Sequence, residues 1–138
     1  MREIKFRLWS SNQFSYWGFI KDYWGHLLFA GITTTGEPLS MKELLNRSQQ
    51  FTGLQDKQDK EIWEGDIVKS KSIVGEEFVG RVFYADSQAA FLLSVKNKYG
   101  VMIALDPISW LYAMDESDDV IGEVIGNIYE NPELLEAK

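Results

Sequence analysis

The sequence predicts a mainly-β chain, a small barrel or sandwich, and three observations carry that expectation. Short apolar stretches rich in aromatic and β-branched residues recur along most of its length. Turn-prone clusters separate them, as at Asp86-Ser87-Gln88 and Asn97-Lys98-Tyr99-Gly100. The best-signalled helix is confined to one short segment near Ser40. Strands this short, broken this regularly, bury their apolar faces by packing in layers.

Taken in order, Ile4, Phe6 and Leu8 alternate with Lys5 and Arg7, the period-two pattern of a strand with one buried face. Segments 14–20 and 23–32 are aromatic and β-rich, and the charged Lys21-Asp22 between them predicts a hairpin. Gly18 and Gly25 are expected to mark bulges or bends in it. At Ser40 a capping box closes with Glu43, and Leu39 and Leu44 occupy the staple positions, predicting a helix over about 41–49. After Phe51, Thr52-Gly53-Leu54 reads as a turn leading into a polar tip, Gln55-Asp56-Lys57-Gln58-Asp59-Lys60, whose composition suits a solvated turn. Strand-like runs follow at 78–85, 90–96 and 101–105. Segment 120–128 has apolar residues at helical spacing, but they are all β-branched, and Gly122 and Gly126 each weaken a helix by about 1 kcal/mol relative to alanine. It is read as a strand over 123–129 after a bend at Gly122. Asn131-Pro132-Glu133 then opens a short terminal helix through Leu134 and Leu135.

The 138 residues suit one domain, and neither a repeat nor a linker interrupts them. The chain has no cysteine, which excludes disulfides, thiolate metal sites and cysteine nucleophiles. The start, MREIKFRLW, interleaves charges with apolar residues and so lacks the apolar core of a signal peptide. No run approaches the ~18 apolar residues of a membrane span. A cytoplasmic protein without membrane contact is the expectation. Charge is unevenly placed: residues 1–60 carry a net +2, 61–105 carry −1, and 106–138 carry −8. That distribution disfavours nucleic-acid binding, which depends on clustered Lys and Arg.

Three blocks read in order, MREIKFRLW, QFTGLQDKQDKEIWEGDIV from Gln50 to Val68, and EVIGNIYENPELL from Glu123 to Leu135, resemble the YopX family of bacteriophage and prophage proteins. Together they cover 41 residues, and the central block is the most specific. The resemblance implies an SH3-like barrel or roll and a phage origin. It carries no activity, substrate, cofactor or catalytic residue with it. The resulting expectation is a single domain in which residues 54–138 form the SH3-like β-roll. Residues 1–53 extend it with the aromatic hairpin and one short helix, and a second short helix closes the C-terminus.

Glu64-Gly65-Asp66 offers two carboxylates about a glycine, which could hold a divalent cation or act as an acid/base pair. The preferred reading is a turn, with Asp66 bonding nearby amides. His26 stands alone and lacks the partners of a metal site or a catalytic pair, and no phosphate-binding glycine loop is present. No cofactor, metal or catalytic residue is therefore expected. The acidic group Asp115, Glu116, Asp118 and Asp119 reads as a solvated loop, with mimicry of a nucleic-acid backbone as its sharper alternative. The aromatic start is more pointed: nine of nineteen aromatic residues fall within the first 29 positions. A two-sided aromatic hairpin cannot hide every ring, so Trp17, Tyr23 and Trp24 are the expected contacts for a host or phage protein, or for a homo-oligomer. Two rival functions come from other classes. One is a nucleic-acid-binding small barrel using Arg2, Lys5 and Arg7; the other is an enzyme using Glu64 and Asp66.

Overall fold

The computed structural model describes residues 4–10, 12–21, 24, 27–31, 48–72, 74–97, 99–112 and 119–135. They are mainly antiparallel strand, as the sequence implies, and the chain divides into two compact units, Met1–Gly53 and Leu54–Lys138.

In the first unit, β1 (Lys5–Ser10), β2 (Gln13–Lys21), β3 (Leu27–Gly31) and β4, which starts at Ser48, lie in the order β3-β2-β1-β4. The β1–β2 register runs without a break from Lys5 opposite Gly18 to Ser10 opposite Gln13. Asn12 takes φ 62 in the tight turn between them, a conformation asparagine tolerates. β2 and β3 form the expected hairpin, but Lys21, read as part of its turn, is strand opposite Leu27, and Trp24, read within the second strand, lies in the connection. Gly18 stays in register with both neighbours, so no bulge occurs there, and Gly25 lies outside the described residues.

β4 (Ser48–Gln55) corrects two expectations. The predicted helix included Ser48 and Gln49, which are strand; its residues 41–47 lie outside the described residues. Pairing explains the change, because Arg7 lies opposite Gln49 and Phe6 opposite Gln50, and such cross-strand contacts override local helix propensity. Thr52-Gly53-Leu54, read as a turn, continues the strand, and Gly53 supplies a left-handed φ of 84 within it.

The second unit carries β5 (Glu61–Trp63), β6 (Asp66–Lys71), β7 (Glu77–Ala85), β8 (Ala90–Lys96), β9 (Met102–Leu105) and β10 (Glu123–Asn127). Five of them form one antiparallel sheet in the order β10-β6-β7-β8-β9. The implied SH3-like roll thus takes the form of an open sheet, whose edges among the described residues are β10 and β9. Turn chemistry sets its connections. Asn97 Oδ1 accepts from the amides of Tyr99 and Val101 between β8 and β9. A 3-10 turn at Asp86–Gln88 joins β7 to β8, with Ala89 at φ 49.

A four-residue helix, α1 (Pro107–Trp110), follows β9; Asp106 caps it by accepting from Ser109 N–H at 3.0 Å, and proline sits at its first position. It delivers Trp110 and Leu111, both buried, into a core with Ile62, Val68, Val82, Leu93 and Val124. β10 ends two residues earlier than expected. Asn127 Oδ1 accepts from the amides of Tyr129 and Glu130 and turns the chain. A register shift between Val124 and Gly126 places the bulge of this unit on β10 against β6. The terminal helix is a 3-10 turn, Pro132–Leu135, since Leu134 N–H reaches only the Asn131 carbonyl.

Gly80 lies in the middle of β7, opposite Val68 and Val95. A Cβ there would stand 2.5 Å from the Ser94 carbonyl oxygen and 2.8 Å from both Leu93 and Val95 side chains. Gly80→Ala is predicted to cost about 1–3 kcal/mol by overpacking. Thermal unfolding followed by circular dichroism should show a lowered midpoint; an unchanged midpoint would mean that the β7–β8 spacing is looser than described.

Candidate partner-binding surface

Alternation along β1 and β2 sorts the aromatic hairpin into two faces. Residues directly opposite one another share a face. Phe6 opposes Trp17, and their rings stack with centroids 4.2 Å apart at 15°. Leu8 and Ser15 follow on that face and are buried. The Trp17 indole N–H donates to Ser48 Oγ at 2.8 Å, so this ring also braces β4.

The other face is built on cations over rings. Arg7 lies with its guanidinium carbon 4.1 Å from the Phe14 centroid, and Lys5 places its ammonium 4.5 Å from that of Phe51. Arg7 Nε donates to Gln49 Oε1 at 2.9 Å, and the Arg7 side chain is only 5% exposed. Trp9 meets Phe14 edge-on at 4.8 Å, and Tyr16 tilts beyond it at 6.5 Å from Phe14. Trp9 and Phe14 on this face are half-buried, whereas Tyr16, opposite Arg7, is 52% accessible.

Of the three expected contact residues, Trp24, in the β2–β3 connection, is 78% exposed. Trp17 is half-buried and engaged within its own sheet. Tyr23 lies outside the described residues, as does His26. Of the basic residues of the nucleic-acid alternative, Lys5 and Arg7 are drawn onto rings of the sheet, and Arg2 lies outside the described residues.

The carboxylates of the central block serve the backbone. Asp66 is 3% exposed and its Oδ2 accepts from Trp63 N–H at 2.8 Å, closing the β5–β6 turn in which Gly65 takes φ 86. This is the turn chemistry that the Glu-Gly-Asp pattern suggests. Asp56 corrects the picture of a wholly solvated tip. Residues 57–60 are exposed, but Asp56 is 2% exposed. Its Oδ1 accepts from the amides of Gln58 and Lys60, both at 2.9 Å, and its Oδ2 accepts from Val124 N–H at 2.9 Å. Lys57 N–H donates to the Gly122 carbonyl, and Lys57 Nζ pairs with Glu123 at 3.2 Å. Composition alone hides this role, because Asp56 and Asp59 look alike within the same polar run. Of the acidic group near position 116, Asp119 is exposed and residues 113–118 lie outside the described residues. Among the described residues no group of three or more His, Cys, Asp or Glu could hold a metal ion, and no helix is long and apolar enough to cross a membrane.

A family model described as YopX protein matches residues 5–136. The crystal structure of protein EF1440 from Enterococcus faecalis is similar at 21% identity with a TM-score of 0.50, covering 98% of this chain and 99% of that one. At that identity the likeness shows the fold alone. No curated protein matches the chain.

The two tryptophans should separate in a stability assay. Trp17→Ala removes a stacked ring and a hydrogen bond and is predicted to cost about 2–4 kcal/mol. Trp24→Ala is predicted to change stability by less than about 1 kcal/mol, as exposed positions do. Urea unfolding of both variants checks this, and equal losses would contradict the division of the rings into structural and presented sets.

Proposed function

The chain belongs to the YopX family, and from that premise we propose that it is a non-enzymatic accessory protein of a phage or prophage. It acts in the cytoplasm of the bacterial host by binding another protein, or a further copy of itself, through its N-terminal aromatic hairpin. The observation that carries this reading is the 78% exposure of the Trp24 indole, with the Tyr16 ring half in solvent. Burying a large apolar side chain contributes about 1.5–3 kcal/mol, and tryptophan and tyrosine dominate the energetics of protein interfaces.

Other features support the same choice. Asp56 and Asp66 accept from backbone amides, a structural role that the turn reading of the Glu-Gly-Asp pattern expects of such carboxylates. Arg7 is too deeply placed to meet a phosphate, and the net charge of −7 opposes a polyanion. The reading calls for no cofactor.

Affinity purification of the tagged chain from an infected or lysogenic host, followed by light scattering of the recovered complex, tests the proposal. Wild type is expected to yield a complex of defined mass that Trp24→Ala fails to form while remaining folded. Recovery of the same partner protein with both chains, or of none with either, would count against the hairpin as a contact surface.

A further inference from the structure

We propose that β9 is a self-pairing edge, at which two copies of this chain join antiparallel about a two-fold axis beside Ile103. The site lies in the second unit and uses no residue of the aromatic hairpin.

β9 is an edge strand among the described residues, paired only with β8 there. Asn97 N–H donates to the Val101 carbonyl at 2.9 Å, and this pair continues the register that sets Lys96 opposite Met102 and Val95 opposite Ile103. Antiparallel ladders alternate hydrogen-bonded pairs with pairs whose polar groups point outward. Ile103 and Leu105 therefore bond to β8, while Met102 and Ala104 aim their N–H and C=O groups away from it. Both sides of the strand are open as well: Val101 is 57% exposed, Met102 59% and Ile103 40%. Edges of this kind are normally blunted by lysine, proline or an inward-pointing charge, yet the run 99–105, YGVMIAL, contains neither a charge nor a proline.

The same run specifies its occupant. In sequence it is bounded by Lys98 before and Asp106 after. Antiparallel self-pairing brings the basic end of each run toward the acidic end of the other, whereas parallel pairing would bring like charges together. With Ile103 opposite the partner's Ile103, Met102 faces the partner's Ala104 and Val101 faces the partner's Leu105. The outward amides and carbonyls of Met102 and Ala104 are then satisfied reciprocally, and a large side chain meets a small one across the join. The arrangement is isologous and closes at two copies. Because each chain carries −7 while the joining run is neutral, screening the repulsion between the bodies should strengthen the pair.

The test is light scattering or sedimentation equilibrium on the full chain over a concentration series, at low and raised ionic strength. Wild type is expected at twice the 15.9 kDa monomer mass, and more tightly so with added salt. Ile103→Lys and Ala104→Pro are expected to remain monomeric with unchanged circular dichroism, and Trp24→Ala to remain dimeric. Should Ala104→Pro fail to fold, Ile103→Lys decides, since it alters one exposed side chain. A wild-type monomer at every concentration overturns the proposal, whatever other strand the edge accepts. So does a dimer that survives both β9 substitutions. A dimer lost only in Trp24→Ala would place self-association on the hairpin instead.

Discussion

The Asp56 carboxylate sits at 2% exposure beneath the amides of Gln58, Lys60 and Val124, two from its own turn and one from a strand 68 positions away. A buried charge is tolerated only when its lone pairs are filled, and an amide left without its acceptor in the same place is costly in turn. The two requirements meet in one side chain. Around it, Lys57 N–H takes the Gly122 carbonyl, the Lys57 side chain pairs with Glu123, and β10 is held in register with β6. Val124 thereby enters the core beside Val68 and Trp110. Two of the sequence blocks that mark the family, one ending at Val68 and one starting at Glu123, thus meet at this carboxylate, at the Lys57–Glu123 pair and along the β6–β10 ladder.

Much of this unit was legible beforehand because its strands are separated by residues with specific turn chemistry. The Asn97 turn and the Glu-Gly-Asp corner follow from side chains that accept from amides a few positions away, the Asp86 turn is closed by the Ala89 amide on the Asp86 carbonyl, and all these partners are local in sequence. Asp56 was not legible as a buried anchor, since its third amide comes from Val124. Helix α1 was readable and overlooked: Asp106 followed by Pro107 is an N-cap with proline at the first helical position. The error over Ser48 and Gln49 has another cause. A capping box describes local preference, whereas Arg7 and Phe6 recruit Gln49 and Gln50 into β4 from more than 40 positions away.

The hairpin shows the same mixture. Counting rings identifies an aromatic-rich start but cannot say which rings are structural. Register assigns them: Trp17 opposes Phe6 and is stacked, Phe14 lies under Arg7, and Trp24 falls in a connection and stands in solvent. The same register places the two described cations of β1 over rings, Lys5 on Phe51 and Arg7 on Phe14. Both proposed contact sites fall where described strands leave apolar side chains exposed, Trp24 in the β2–β3 connection and Val101, Met102 and Ile103 at β9.

The anchoring role of Asp56 is tested most directly by equilibrium urea unfolding of Asp56→Ala beside Gln58→Ala, a change at an exposed position on the same turn. Removing the carboxylate is expected to cost roughly 3 kcal/mol or more, because bonds to a charged acceptor are lost and the Val124 amide is left buried without one. Gln58→Ala is expected to stay within about 0.5 kcal/mol of wild type. If both variants unfold at the wild-type midpoint, the carboxylate is not what fixes β10, and the account built on it is wrong.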